Sequence, residues 1–84
     1  MKSYITFINN TSFPVISVYS DNKLVVENIL KNSSSEKITF DDGSIDLIIK
    51  DNREKTFQSL CISLCAQKEY VLIIKNRKSI LIIE

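Results

Sequence analysis

The stretch Val15 to Leu30 constrains this chain more than any other. Two apolar, β-branched runs flank Asp21-Asn22, residue types that tolerate the positive φ angles a two-residue hairpin turn demands, and the spacing predicts a self-contained β-hairpin. In its first arm Ile16 and Val18 share one face and Ser17 and Tyr19 the other, the alternation of a half-buried strand with Tyr19 outward. In the second arm Leu24 and Val26 fit the inward face, but Ile29 falls on the opposite parity. That mismatch predicts a bulge or strand end near Glu27-Asn28.

The rest of the chain reads as strands added to this hairpin. Tyr4 to Asn9 alternates and is closed by the turn formers Asn9-Asn10-Thr11-Ser12 and by Pro14, whose ring biases Phe13 towards an extended backbone. Lys31 to Ser35 is a polar connector, and Ile38 and Phe40 then alternate with Lys37 and Thr39. The single glycine, Gly43, follows Asp41-Asp42 where a tight turn with φ > 0 is expected. With one Gly and one Pro in 84 residues, the other turns must lean on Asn, Asp and Ser. Ile45, Leu47 and Ile49 line one face of a clear strand, Asp51-Asn52-Arg53-Glu54 makes a charged turn, and Leu60, Ile62 and Leu64 line the next strand, with Cys61, Ser63 and Cys65 opposite. Tyr70 to Lys75 and Ile80 to Ile83 complete a set of short strands with no stretch of helical period. Regular spacing of this kind predicts a β-sandwich or small barrel. A chain of 84 residues, 44% hydrophobic and 25% charged, fits one small globular domain spanning 1–84.

Five runs, in order, resemble a bacterial immunoglobulin-like family catalogued as domain-of-unknown-function family 4397. They are Phe7-Ile8-Asn9-Asn10-Thr11, then Ile16 to Val25, then Asn28-Ile29, then Ile38 to Leu47 and finally Leu64 to Tyr70. The likeness spans Ile5 to Lys75. In this chain Asn22 and Gln67 stand where the family favours turn glycines, Asp41 stands where it favours proline, and the export signal usual for the family is missing. The resemblance implies an antiparallel immunoglobulin-like β-sandwich of seven to eight strands, with a transthyretin-like sandwich or small barrel as the alternative. It brings no catalytic residues with it.

Composition and motifs exclude more chemistry than they suggest. The chain has no histidine, which removes the commonest general base, the commonest metal ligand and every Ser-His or Cys-His nucleophile. A net charge of +1 and a pI near 7.7 give no field that would attract nucleic acid or a membrane surface. No apolar run approaches the roughly 20 residues of a bilayer-crossing helix. The start alternates polar and apolar residues and meets two Asn where a signal peptide needs a continuous apolar run. The expected location is therefore cytoplasmic, or the cell surface if a leader has been removed.

Cys61 and Cys65 lie four residues apart, roughly 13 Å along a strand and beyond disulfide reach, so they are expected as reduced structural thiols. Asp41, Asp42, Asp46 and Asp51 fall in turns and on an outward strand position, a spacing that argues against a calcium site. Lys75-Asn76-Arg77-Lys78 reads as a solubilising hairpin tip. Asn9, Asn10 and Asn32 begin N-x-Ser/Thr sequons that matter only in a secretory pathway. Tyr70 is placed for the sandwich role in which the ring packs inside and the hydroxyl reaches a backbone group. Tyr4 and Tyr19 read as a cross-strand pair, with an exposed aromatic strip for sugar or peptide as the other reading.

No catalytic, cofactor-binding or metal residues are expected, and the chain reads as a non-catalytic structural or protein-interaction module. The alternative is a carbohydrate- or small-ligand-binding sandwich domain. Ile80, Leu81, Ile82 and Ile83 are the candidate interface. Four consecutive apolar residues place hydrophobic side chains on both faces of a terminal strand, where an edge should carry charge or proline. The expected partner is a second copy, in a homodimer, or another protein.

Overall fold

The computed structural model describes residues 2–65 and 67–83. Eight strands are described, β1 (Lys2–Asn9), β2 (Val15–Ser20), β3 (Lys23–Leu30), β4 (Ile38–Asp41), β5 (Gly43–Lys50), β6 (Thr56–Leu64), β7 (Glu69–Ile74) and β8 (Ile80–Ile83). They form two four-stranded sheets, β4-β1-β7-β8 and β3-β2-β5-β6. The protein is an all-β sandwich, and the sheets do not close into the small barrel that was one expected alternative. Its order keeps the first and fourth strands with the last two. In constant-type immunoglobulin domains the first, second, fifth and fourth strands share a sheet instead.

The expected sandwich of seven to eight strands is antiparallel throughout, and one pair departs from that. β1 runs parallel to β7, from Tyr4 opposite Glu69 to Asn9 opposite Ile74. A parallel pair needs a long crossover, and here the five strands between β1 and β7 supply it.

The hairpin forms as the turn chemistry predicts. Asp21 and Asn22 sit at φ 51° and 62° between the paired Ser20 and Lys23, the two positive angles a type I′ turn requires. The expected bulge is present. Ile16 pairs Ile29 and Val18 pairs Val26, so β3 carries an extra residue at Glu27-Asn28, with Asn28 at φ 56°. A second extra residue, at Val25, was not foreseen: Val18 pairs Val26 while Tyr19 pairs Leu24. That slip moves Leu24, expected inward, to the outer face beside Tyr19, where it is 47% exposed.

Between the sheets lie Ile5 and Phe7 of β1, Ile16 and Val18 of β2, Ile29 of β3, Leu47 and Ile49 of β5, Leu64 of β6, and Tyr70, Leu72 and Ile74 of β7. Ile62 packs against this core from a half-buried position. Two polar clasps close the sandwich. In the first, the buried Asn9 amide donates from Nδ2 to Ile29 O at 2.9 Å and Phe13 O at 3.3 Å, and its Oδ1 accepts from Thr11 N at 3.1 Å and Thr11 Oγ1 at 2.6 Å. In the second, Cys65 N donates to the Tyr70 hydroxyl at 2.8 Å, and the buried Ser3 hydroxyl lies 2.5 Å from Cys65 O and 2.7 Å from Asp42 Oδ1. Tyr70 thus takes the role expected of it. Gly43, at φ 118°, marks the corner where the chain leaves β4 in one sheet and enters β5 in the other.

Leu47 has no exposed surface, so Leu47→Ala should cost about 2 to 5 kcal/mol through lost transfer and a residual cavity. Leu24→Ser should shift stability by no more than about 0.5 kcal/mol, as a surface change does. Denaturant titration of both variants checks the facing of β5 and the second bulge together.

Candidate functional site

The candidate interface lies at an edge. β8 pairs with β7 alone, in the register Ile73↔Ile80, Val71↔Ile82, Leu72↔Leu81 and Tyr70↔Ile83. Alternation divides the four residues. Leu81 follows Leu72 towards the core and packs against it, whereas Ile80 and Ile82 point out and are 42% and 43% exposed. Ile83 has the inward parity but lies at the strand end and is 56% exposed.

Ile80 and Ile82 do not stand alone. Ile8, Ile73 and Ile80 form one row across β1, β7 and β8 on the outer face, and Thr6, Val71 and Ile82 form the next. The sandwich has two layers, so among the described residues no element covers this face. The face was missed in the sequence, although Val71-Leu72-Ile73-Ile74 carries its signal: a strand apolar at every position belongs to a sheet covered on both sides. At the far margin stand the Lys2–Asp41 pair at 2.7 Å and the Lys37–Glu69 pair.

The outer face of the other sheet mixes polar side chains with Leu24 and Leu30, which are 47% and 59% exposed. A shallow groove of about 230 Å³ is lined there by Ser17, Tyr19, Glu27, Asn28, Asp51 and Glu54 among others. Asp51 is already engaged, accepting from Arg53 N at 2.8 Å and Lys55 N at 3.0 Å. The amide of Lys55, then that of Arg53, holds its carboxyl below the usual carboxylate range. Tyr19 is covered by the Lys50 ammonium, 4.5 Å from the ring centre. The Tyr4–Tyr19 pair does not form, because Tyr4 is on β1 and Tyr19 on β2, in different sheets. Although the two strands are consecutive in sequence, the chain crosses between sheets there.

The four aspartates are kept apart by separate partners: Asp41 with Lys2, Asp42 with Ser3, Asp46 with Cys61, and Asp51 with its turn amides. No group of three or more metal-ligating side chains occurs among the described residues. Asn76 in the basic tip is tied to the loop before β2, accepting from Ser12 N at 2.8 Å. Of the sequon residues, Asn9 is buried with its amide fully used, while Asn10 and Asn32 are exposed.

Cys61 and Cys65 are free thiols, as expected, but both are exposed and so add nothing to the core. Asp46 lies opposite Cys61 in the β5–β6 ladder, and its carboxylate, by hydrogen bond and then by charge, pushes the Cys61 thiol above its ordinary range. In a Cys65→Ser background, alkylation of Cys61 by iodoacetamide should therefore need a higher pH than an ordinary thiol. Asp46→Asn should move that midpoint down, since the protonated thiol keeps only a weaker, neutral amide acceptor and the thiolate loses its repelling charge. An unmoved midpoint would show that the pairing is not made in solution.

Comparison with known protein families and with curated proteins finds no match for this chain.

Proposed function

We propose that this protein is a non-catalytic structural or protein-interaction module that works by self-association through β8 and the outer face it continues. One observation carries the reading. The apolar plate of Ile8, Val71, Ile73, Ile80 and Ile82 runs without a charged residue to an open strand edge. Aliphatic side chains on the solvent side of an antiparallel sandwich are out of place unless something covers them. A near-neutral net charge opposes the approach of a second copy little, and a two-fold dimer is the commonest closed assembly.

The family resemblance has support of its own. Asn22 and Gln67, at the positions where the family favours glycine, lie at φ 62° and 58°. Ligand binding in the groove around Tyr19 is the second reading, favoured by its convergent hydroxyl, amide and carboxylate groups. The groove is small, polar and partly occupied by the protein's own contacts, unlike the apolar-lined pockets of about 300 to 1,000 Å³ that hold small molecules.

Light scattering after size-exclusion chromatography, under reducing conditions, tests the preferred reading. The parent should run as a dimer at high micromolar concentration. Ile80→Lys with Ile82→Lys should run as a folded monomer, because both side chains face out and circular dichroism should be unchanged. A monomeric parent, or a folded dimer in the double variant, overturns the proposal.

A further inference from the structure

The outward residues of β7 are Glu69, Val71 and Ile73, and the same alternation continues to Lys75 just past the strand end. Their order is acid, apolar, apolar, base, and it is centred on Leu72. Turned end for end, the quartet is its own complement in shape and in charge. The neighbouring strands share this symmetry. One row of the outer face joins Thr6, Val71 and Ile82, and the next joins Ile8, Ile73 and Ile80. Beyond the first row Tyr4 lies beside Glu69, and beyond the second Asn10 N donates to Ile74 O at 2.8 Å, which continues the ladder towards Lys75.

Two copies that bury this face against each other are related by a two-fold axis lying midway between them. With the axis along β7, Glu69 faces Glu69 and Lys75 faces Lys75, and like charges oppose at both ends. With the axis across β7 at Leu72, the strands of the two copies run antiparallel. Val71 then meets Ile73, Thr6 meets Ile8 and Ile80 meets Ile82, so each row of one copy covers the other row of its neighbour. Glu69 of each copy meets Lys75 of the other. Both charges lie about 10 Å along the strand from Leu72, and packed sheets stand about 10 Å apart with strand directions within about 30°, a gap that two long side chains span. Among the described residues Lys75 has no ion-pair partner in its own chain, and Glu69 has Lys37.

We propose that a second copy of this chain lies face to face on the outer surface of the first sheet with its strands antiparallel, about a two-fold axis crossing β7 at Leu72, and that reciprocal Glu69–Lys75 ion pairs select this orientation. The inference rests on the self-association proposed above and adds its geometry. Charges at the rim of an interface fix orientation more than they add affinity. The apolar rows therefore hold the copies together, and the two ion pairs choose between the antiparallel and parallel arrangements.

The test measures the dimer dissociation constant by analytical ultracentrifugation at low ionic strength, where exposed pairs are least screened. It uses the full chain, Glu69→Lys, Lys75→Glu, the double variant carrying both changes, and an equimolar mixture of the two single variants, with circular dichroism reporting the fold of each. Each single variant sets like charges against each other twice in its own dimer and should dimerise at least about tenfold more weakly than the parent. The mixture, in which one copy carries two lysines and the other two glutamates, should recover the parent's affinity, and so should the double variant, in which the pairs are exchanged. Single variants that dimerise like the parent overturn the proposal, and so does a weakening that neither the mixture nor the double variant restores in folded protein. Lys75→Glu leaves the Lys37–Glu69 pair intact, so its dimer alone is decisive where Glu69→Lys does not fold. A monomeric parent removes the self-association on which the inference rests, whereas a dimeric parent indifferent to the reversals keeps self-association and removes this orientation.

Discussion

The structure depends first on the side chain of Asn9. Buried between the sheets, its amide uses both N–H groups and accepts twice at its oxygen, so no polar position is left unpaired. Its backbone is used as well, donating to Ser33 O at 3.0 Å and accepting from Asn32 N at 2.7 Å. These bonds join the end of β1 in one sheet to the end of β3 in the other, and they shape the loop that carries the chain between layers. A group so deeply buried is costly to leave unsatisfied, about 1 to 3 kcal/mol for each lost partner. The end of the parallel β1–β7 pair is set at the same point, where Asn10 N donates to Ile74 O at 2.8 Å.

A second polar clasp acts where β6 ends. Ser3, Cys65 and Tyr70 join the start of β1, the end of β6 and the start of β7 through two hydroxyls and one residue's backbone. The apolar core lies between the two sheets and supplies the bulk of the burial; the clasps fix how the layers are aligned. Hydrophobic burial has no direction of its own, so alignment falls to hydrogen bonds whose distances and angles are specific.

The same arrangement leaves the molecule lopsided. One side of the sandwich ends in the bulged, charged β3 and the short β4. The other ends in β6 and β8, which carry neither lysine nor proline. The outer face of the first sheet is aliphatic along Ile8, Val71, Ile73, Ile80 and Ile82, whereas that of the second mixes polar side chains with the exposed Leu24 and Leu30.

Much of this was legible in the residues themselves. Asp21-Asn22 set the hairpin turn, the parity of Ile29 announced the first bulge, and Leu47, Ile49 and Leu64 stood where alternation places a core. Among the described residues, four of the six non-glycine residues with positive φ are Asp or Asn, whose short polar side chains make that conformation accessible. Glu54 and Gln67, the other two, carry no such side chain: Glu54 closes the β5–β6 turn, its N–H donating to Asp51 O at 3.0 Å, and Gln67 lies where the chain passes from β6 in one sheet to β7 in the other. The bulge at Val25 was also hidden: Leu24-Val25-Val26 is apolar throughout, and only pairing to β2 shows which side chain turns out. Local chemistry determined the turns, the strands and the facing of most of them. The tertiary structure alone decided the parallel β1–β7 pair, the burial of Asn9 and the choice of Ile80 and Ile82 over Leu81 as exposed residues, because each depends on a partner more than 5 residues away that no local pattern names.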